Sequence, residues 1–298
     1  MSPAKKRRAP KATGLKTAMV VSVSPTSFEA LALSADVKRA FALVAAHGFG
    51  GVEVAVRDPA LVSAGSMKKL AADHGLSIAA IGTGQAWVEE GLSLTGADTA
   101  KRTRAMERMK RQLDLGAELG ARVIVGLIRG TAGRREDVPS ALGRLADALA
   151  ELGAYAQEAG SPGLLLEPIN RYETRLLNSV AEAVAFLDRT DPSIMILADT
   201  FHMNIEDRDL AGSLGLAGGR LGHVHFADSN RRAPGQGHIA FTPVLRALSA
   251  MNYEGWLSAE ILPEPTPEDA VRLTAEFFRA AAGKGKAAAS PRAAKSKR

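Results

Sequence analysis

Four side chains that bind cations or carry protons recur in the second half of the chain, each about one strand-plus-helix unit from the next. Glu167 lies in L-L-L-E-P-I, Asp199 in I-L-A-D-T-F-H, His225 in G-H-V-H-F-A-D and Glu260 in L-S-A-E-I-L. The gaps are 32, 26 and 35 residues. Each follows a short apolar run that reads as a buried strand, so each falls near a strand's C-terminal end. In a closed parallel barrel those ends surround one point. Three carboxylates and an imidazole gathered there repel one another unless a cation sits between them. The pattern therefore predicts a divalent-metal site built from Glu167, Asp199, His225 and Glu260. His223 shares the parity of His225 on its strand, so both face inward. His225 is nearer the mouth and is the expected ligand; His223 is expected behind it, hydrogen-bonded to a metal-binding carboxylate.

Positioning these residues requires a regular scaffold, and the chain supplies one. A short apolar run, a polar loop and a helical stretch repeat eight times. The runs predict strands over 17–23, 51–56, 77–82, 121–128, 163–169, 194–199, 220–226 and 256–262. They are continuous in Val, Ile, Leu and Ala rather than alternating, which suits strands covered on both faces. Residues 98–119, 138–159 and 178–189 carry apolar positions at helical spacing. Asn178 or Ser179 is placed to cap the last of these, with Glu182 a turn further on. Glycines 48, 75, 120 and 160 stand where helices should end. Eight such units predict a (β/α)8 TIM barrel. An open doubly wound sheet is the alternative, but no Gly-rich phosphate loop follows the first strand.

The bulk composition narrows the function classes. Of 298 residues, 46% are hydrophobic and 23% charged, which suits a large globular core. No apolar run reaches the length of a membrane span, and no apolar segment follows the basic N-terminus as a secretory signal would require. Without cysteine, disulfides, thiolate catalysis and Cys-ligated zinc are excluded, and a cytoplasmic address is expected. The net charge of +6 resides in the ends: residues 1–11 hold five cations and 284–298 hold six, with no acid, which leaves 6 − 11 = −5 for residues 12–283. The expected organisation is a disordered basic tail over 1–14, one barrel domain over 15–282 and a second basic tail over 283–298. Contact of the tails with nucleic acid is the lesser reading beside simple solubilisation.

Longer motifs carry a family resemblance. E-P-I-N-R-Y-E-T-R-L-L-N-S, D-T-F-H-M-N-I-E, H-V-H-F-A-D-S-N-R-R-A-P-G-Q-G-H-I-A-F and S-A-E-I-L resemble the D-tagatose/D-allulose 3-epimerase group of ketose 3-epimerases, among the xylose-isomerase-like barrels. V-A-V-R-D-P and I-G-T-G-Q-A are similar to a branch that includes 5-keto-L-gluconate epimerase. The resemblance implies that Glu167, Asp199, His225 and Glu260 hold one divalent cation, usually Mn2+, with Mg2+ or Co2+ as substitutes. It also implies that Glu167 and Glu260 are the acid/base pair, and that Glu173, His202 and Arg231 hold the carbonyl and first hydroxyls of the sugar. The family commonly forms dimers or tetramers. The chemistry is self-consistent, because inverting a carbon beside a ketone needs a proton carrier on each face and a cation to stabilise the enediolate. Gln85, Trp87, Arg57 and Arg129 fall near the ends of strands two to four and are candidates for the far end of the substrate. A keto-acid would need a cation there, supplied by Arg57 or Arg129. Asp228 is expected to pair with Arg231 or to support the site from behind.

Three rival readings use the same residues. An aldose–ketose isomerase could move the proton between C1 and C2 on the same metal centre. An abasic-site endonuclease would need a three-zinc cluster, for which six histidines, two of them at helix ends, are too few. A non-catalytic sugar binder would have no need of two opposed proton carriers.

Overall fold

The computed structural model describes residues 15–34, 36–133 and 137–289. The stretches 1–14 and 290–298, which hold most of the expected tails, lie outside the described residues. Eight parallel strands close into a barrel in sequence order. They are β1 (Lys16–Ser22), β2 (Gly51–Ala55), β3 (Ser77–Gly82), β4 (Arg122–Val125), β5 (Leu164–Leu166), β6 (Met195–Asp199), β7 (Leu221–His225) and β8 (Trp256–Ala259). The helices are α1 (Val37–Ala46), α2 (Ala64–His74), α3 (Gly84–Glu90), α4 (Thr99–Leu119), α5 (Val138–Glu158), α6 (Val180–Leu187), α7 (Thr200–Glu206), α8 (Leu210–Ala217), α9 (Phe241–Ala250) and α10 (Pro267–Ala289). β1 closes on β8 through pairs from Lys16–Trp256 to Met19–Ala259.

Every expected strand is present, but several are shorter than their apolar runs. The run over 121–128 stops pairing at Val125, and Leu127–Arg129 turn into a single 3-10 turn. The run over 163–169 pairs only through Leu166, which leaves Glu167 as the first residue beyond the ladder. Hydrophobicity reports burial, and these loop residues are buried without being paired. At the other end, α10 continues to Ala289, into the stretch expected as C-terminal tail.

Helix boundaries follow local chemistry. The Ser179 hydroxyl accepts the Glu182 N–H, and Glu182 accepts the Asn178 N–H in return. Gly75 and Gly120 end α2 and α4 in the left-handed region at φ 66°. Along α5, Leu145, Leu149 and Leu152 lie on one face and are fully buried against the barrel. Truncating one such leucine to alanine costs about 2–5 kcal/mol. Inside the barrel, Ala80, Ile124, Leu165 and Leu197 form a small apolar plug. Leu165 and Leu197 lie two residues before Glu167 and Asp199, so this plug is the floor on which the polar layer stands.

Candidate active site and metal centre

The polar layer is assembled by strand register. Asp199 and His225 are direct partners across β6 and β7, and His225 pairs in turn with Ser258 of β8. Glu167 and Glu260 each stand one residue past the end of their strands. The ligand atoms of Glu167, Asp199, His225 and Glu260 all lie within 4.8 Å of one another. His225 Nδ1 is 3.5 Å from Glu167 Oε1, 3.8 Å from Glu260 Oε2 and 3.9 Å from Asp199 Oδ2. Metal–ligand bonds of about 2.0–2.2 Å place neighbouring donor atoms about 3–4 Å apart, so the spacing suits a single ion.

Two of these atoms, Asp199 Oδ2 and His225 Nδ1, are buried without a hydrogen-bond partner. The reasons are local. Asp199 spends Oδ1 as the N-cap of α7, accepting the Phe201 N–H at 2.8 Å, and so turns Oδ2 loose. His225 spends Nε2 on Glu53, whose carboxylate lies 3.0 and 3.1 Å away. A buried acceptor left bare is costly, and a cation on these two atoms would satisfy both.

Glu173, Asp199 and Glu260 share the site with the Arg231 guanidinium, while Glu53 is paired with His223 and His225. Burial pushes Asp199 up to about 6, against the pull of Arg231 and His225. Burial also pushes Glu260 up to about 7, opposed by His225 and Arg231 and assisted by Glu167 and Asp199. Burial opposes a charge on His225 too, but Glu53, Glu167 and Glu260 outweigh it and hold the imidazole well above its usual value. The same acidic field that draws a proton to Nδ1 would draw a divalent cation in its place.

Glu53, in the middle of β2, is the functional residue that motif reasoning missed. It is 1% exposed and accepts from His223 Nε2 at 2.9 Å as well as from His225. Burial alone would raise it, yet His225 and His223 hold it far below the usual carboxylate range. His223 does face inward as expected, with its ring edge-on to His225. Its partner, however, is Glu53 and not one of the four expected ligands. The signal was available: an acid in the middle of G-V-E-V-A-V must be paired if the strand is buried.

The expected substrate residues converge on the same cavity. Glu173, His202 and Arg231 line it together with Glu167, His225 and Glu260. Arg231 stands in the left-handed region at φ 58° and donates to Glu260 Oε2 at 2.6 Å. Its guanidinium lies between the rings of Phe201 and Phe28, at 4.8 and 5.6 Å. Burial disfavours its charge, but Glu260, Asp199 and Glu173 more than restore it. Asn170, also unforeseen, accepts the Tyr172 N–H on Oδ1, which turns its amide nitrogen toward Glu173 Oε1 and His202 Nδ1. His202 Nδ1 is therefore the acceptor, and Nε2 carries the ring proton. Burial, then Arg231 and His225, hold His202 well below its usual value, so it stays neutral.

Candidates for the far end of the substrate divide. Gln85 lines the cavity; Arg57, Trp87 and Arg129 do not. Arg57 approaches Glu90 at 4.0 Å. Arg129 is fully buried and donates to the main-chain carbonyls of Glu167 and Leu177, so its expected role toward a substrate carboxylate is corrected to a brace behind β5. Burial lowers it to about 10, against the pull of Glu167, Glu173 and Glu182. Asp228 does not pair with the Arg231 side chain; it accepts main-chain N–H groups of Ser229, Gly235 and Ile239 and shapes the loop that carries Arg231. Of the remaining histidines, His47 caps the end of α1, His74 lies in the last turn of α2 and His238 meets Ser229.

A closed barrel whose mouth gathers carboxylates and imidazoles around two bare ligand atoms defines a class before any comparison is made. A family model described as a xylose isomerase-like TIM barrel matches residues 41–281, and the chain belongs to that family. It is 33% identical to L-ribulose 3-epimerase of Mesorhizobium japonicum over 240 residues, which cover 78% of each protein. A solved L-ribulose 3-epimerase superposes with a TM-score of 0.77 at 28% identity, covering 94% of this chain and 99% of that one. D-Allulose 3-epimerase from Methylomonas sp., solved in complex with D-allulose, gives a TM-score of 0.75 at 26% identity over 89% and 96% of the two chains. Within the family the chain falls among the ketose 3-epimerases and is an isomerase-class enzyme of carbohydrates. Among the described residues, no helix is long and apolar enough to cross a membrane.

Proposed function

We propose that the chain inverts C3 of an uncharged ketose, with one divalent cation held by Glu167, Asp199, His225 and Glu260. Mn2+ is the first choice of ion, and the cytoplasm the expected compartment. The observation that carries this reading is the pair of buried, partnerless ligand atoms, Asp199 Oδ2 and His225 Nδ1, facing Glu167 and Glu260. When bound, the cation would polarise the substrate carbonyl and stabilise negative charge on the neighbouring oxygens.

The chain's own residues supply the rest. Glu167 and Glu260 come from β5 and β8, on either side of β6 and β7, and are suited to approach opposite faces of one carbon. One takes the C3 proton and the other returns a proton from the far side. Glu260, raised to about 7 by burial, would be lowered again by a bound cation, which places its proton exchange in balance with the acidified C–H bond of a coordinated ketose. Arg231 donates to the Glu260 carboxylate and reaches Glu173 Oε1 at 3.5 Å, tying both acids to one guanidinium. The neutral His202, with its proton on Nε2, can donate to a substrate oxygen, and Glu173 can accept from a hydroxyl. Phe28, Leu31 and Ile169 close the cavity walls and exclude water. Among the described residues, the only guanidinium in the lining is Arg231, which is already engaged with Glu260. A phosphate or carboxylate at the far end would find no free cation among the described lining residues, which favours a free ketose; the names of the relatives make L-ribulose and D-allulose the first substrates to try.

The test is turnover of a ketose panel by the Mn2+-loaded protein in D2O, read by NMR. One solvent deuterium at C3 of the epimer is expected, and Glu167→Gln or Glu260→Gln should lower the rate by about 10²–10⁴-fold. Solvent deuterium at C2 of an aldose product would mean isomerisation instead. No turnover of any ketose by a folded, Mn2+-loaded protein would remove the enzymatic reading.

A further inference from the structure

We propose that Gln85 determines sugar preference, its Oε1 accepting a hydrogen bond from a hydroxyl at the end of the ketose remote from the carbonyl. This rests on the ketose reading above. Gln85 lies in the first turn of α3, directly after β3. It is 2% exposed and lines the cavity that also holds Glu167, His225 and Glu260. In an eight-stranded barrel β3 stands opposite β7, so Gln85 belongs to the wall across from His225.

The orientation of its amide follows from proton accounting. The Ser22 hydroxyl has one proton, which it donates to the Ser24 carbonyl at 2.5 Å. Its oxygen can then only accept, and Gln85 Nε2 donates to it at 2.7 Å. Gln85 Oε1 is left over, and no donor among the described residues reaches it. Among the described residues, the other buried glutamine oxygen without a partner, on Gln112, belongs to a residue that does not line the cavity. The neighbouring wall is apolar, with Phe28, Leu31, Ala55 and Leu127. A lone acceptor in an apolar wall selects a donor. A sugar hydroxyl fits, whereas a carboxylate or phosphate, which can only accept at neutral pH, is rejected.

The acceptor is also held still. Glu89, one turn along α3 on the same face, takes hydrogen bonds from Thr26 Oγ1, Ser27 N and Ser27 Oγ at 2.9, 2.6 and 2.8 Å. Those residues belong to the segment after β1 that carries Phe28 and Leu31. α3 thus ties the foot of that segment through Gln85 and its crest through Glu89, fixing the cavity wall around Oε1.

Steady-state kinetics on a ketohexose and its 4-, 5- and 6-deoxy counterparts tests the assignment, with wild type, Gln85→Met and Ser22→Ala. The wild type should lose about tenfold in kcat/KM on one deoxy sugar, the worth of one neutral hydrogen bond. Gln85→Met should lose about tenfold on the parent sugar, mainly through KM, and nothing further on that deoxy sugar. Ser22→Ala, which removes the acceptor that orients the Gln85 amide, should weaken the wild-type preference, and Mn2+ affinity by calorimetry should match in all three. If Gln85→Met fails to fold, Gln85→Asn, which withdraws the amide by one methylene, serves in its place. An equal loss on every sugar would make Gln85 a structural brace and overturn the assignment. So would a variant that discriminates as the wild type does. Failure of the wild type on all four sugars is a different result, which removes the ketose reading itself.

Discussion

Replacing Glu53 with glutamine probes the site from behind without touching a ligand. The Glu53 carboxylate now accepts from two imidazoles, His223 Nε2 at 2.9 Å and His225 Nε2 at 3.0 Å. With a ring proton on each Nε2, His225 turns Nδ1 toward Glu167, Asp199 and Glu260, where a cation in place of the Nδ1 proton would take its lone pair. A glutamine amide can accept from one ring but must turn its NH2 toward the other. If that other ring is His225, its proton moves to Nδ1 and the ligand atom is blocked. If it is His223, the ligand survives but loses a charge-assisted bond. Such a bond is worth about 1.5–3 kcal/mol, or roughly ten- to a hundredfold in affinity. Loss of a carboxylate behind a metal-binding histidine falls in the same range, about 10–100-fold. Calorimetric titration of Mn2+ into Glu53→Gln should therefore give a dissociation constant raised by about one to two orders of magnitude, with circular dichroism confirming the fold. A folded variant whose affinity stays within about twofold of wild type would refute the reasoning, because no free energy would then pass from Glu53 to the cation.

Three further outcomes follow from the geometry. A Cβ on Gly126 would lie 2.5 Å from Glu167 Oε2, so Gly126→Ala should displace the carboxylate and cut kcat by about 10²-fold, with little change in thermal midpoint; unchanged kcat would free Gly126 of this role. Arg129→Met strips two buried carbonyls of their donor and should cost about 2–4 kcal/mol in denaturant unfolding; because Arg129 braces β5, turnover of free ketoses and keto-acids should fall alike, and a selective loss on keto-acids would restore a role at the substrate. Asp199 and Glu260 are raised to about 6 and about 7, and His225 is held well above its usual value, so a cation must displace protons: Mn2+ affinity should climb through pH 6–7 and continue to rise above it, with proton release visible in buffers of different ionisation enthalpy. The sign for folding is opposite. These two carboxyls hold more protons in the native state than in the unfolded one between about pH 4 and 7, so their contribution to stability without cation falls as pH rises through that window, while His202 and His223, both held below their usual value, contribute in the opposite sense.

The four ligand candidates were legible because each ends an apolar run, and a barrel can only bring strand ends together. Register then did what spacing could not: it set Asp199 level with His225 and left Glu167 and Glu260 just beyond their ladders. Glu53 was harder to see because its partners are 170 and 172 residues away and no local pattern links them. Gly126 looked like one more strand residue, since a missing Cβ matters only once the Glu167 carboxylate is known to fill the space. Arg129 shows the converse limit. A cation near a strand end is visible in sequence, but whether it turns toward the cavity or behind the sheet depends on the carbonyls of Glu167 and Leu177.

The account depends most on the four-residue cation site, and anomalous scattering from crystals soaked in Mn2+ examines it directly. A single peak is expected among Glu167, Asp199, His225 and Glu260, with each ligand atom about 2.0–2.2 Å away and Glu53 still bonded to His225 Nε2. A peak between Glu53, His223 and His225 instead, or none at saturating Mn2+, would contradict it.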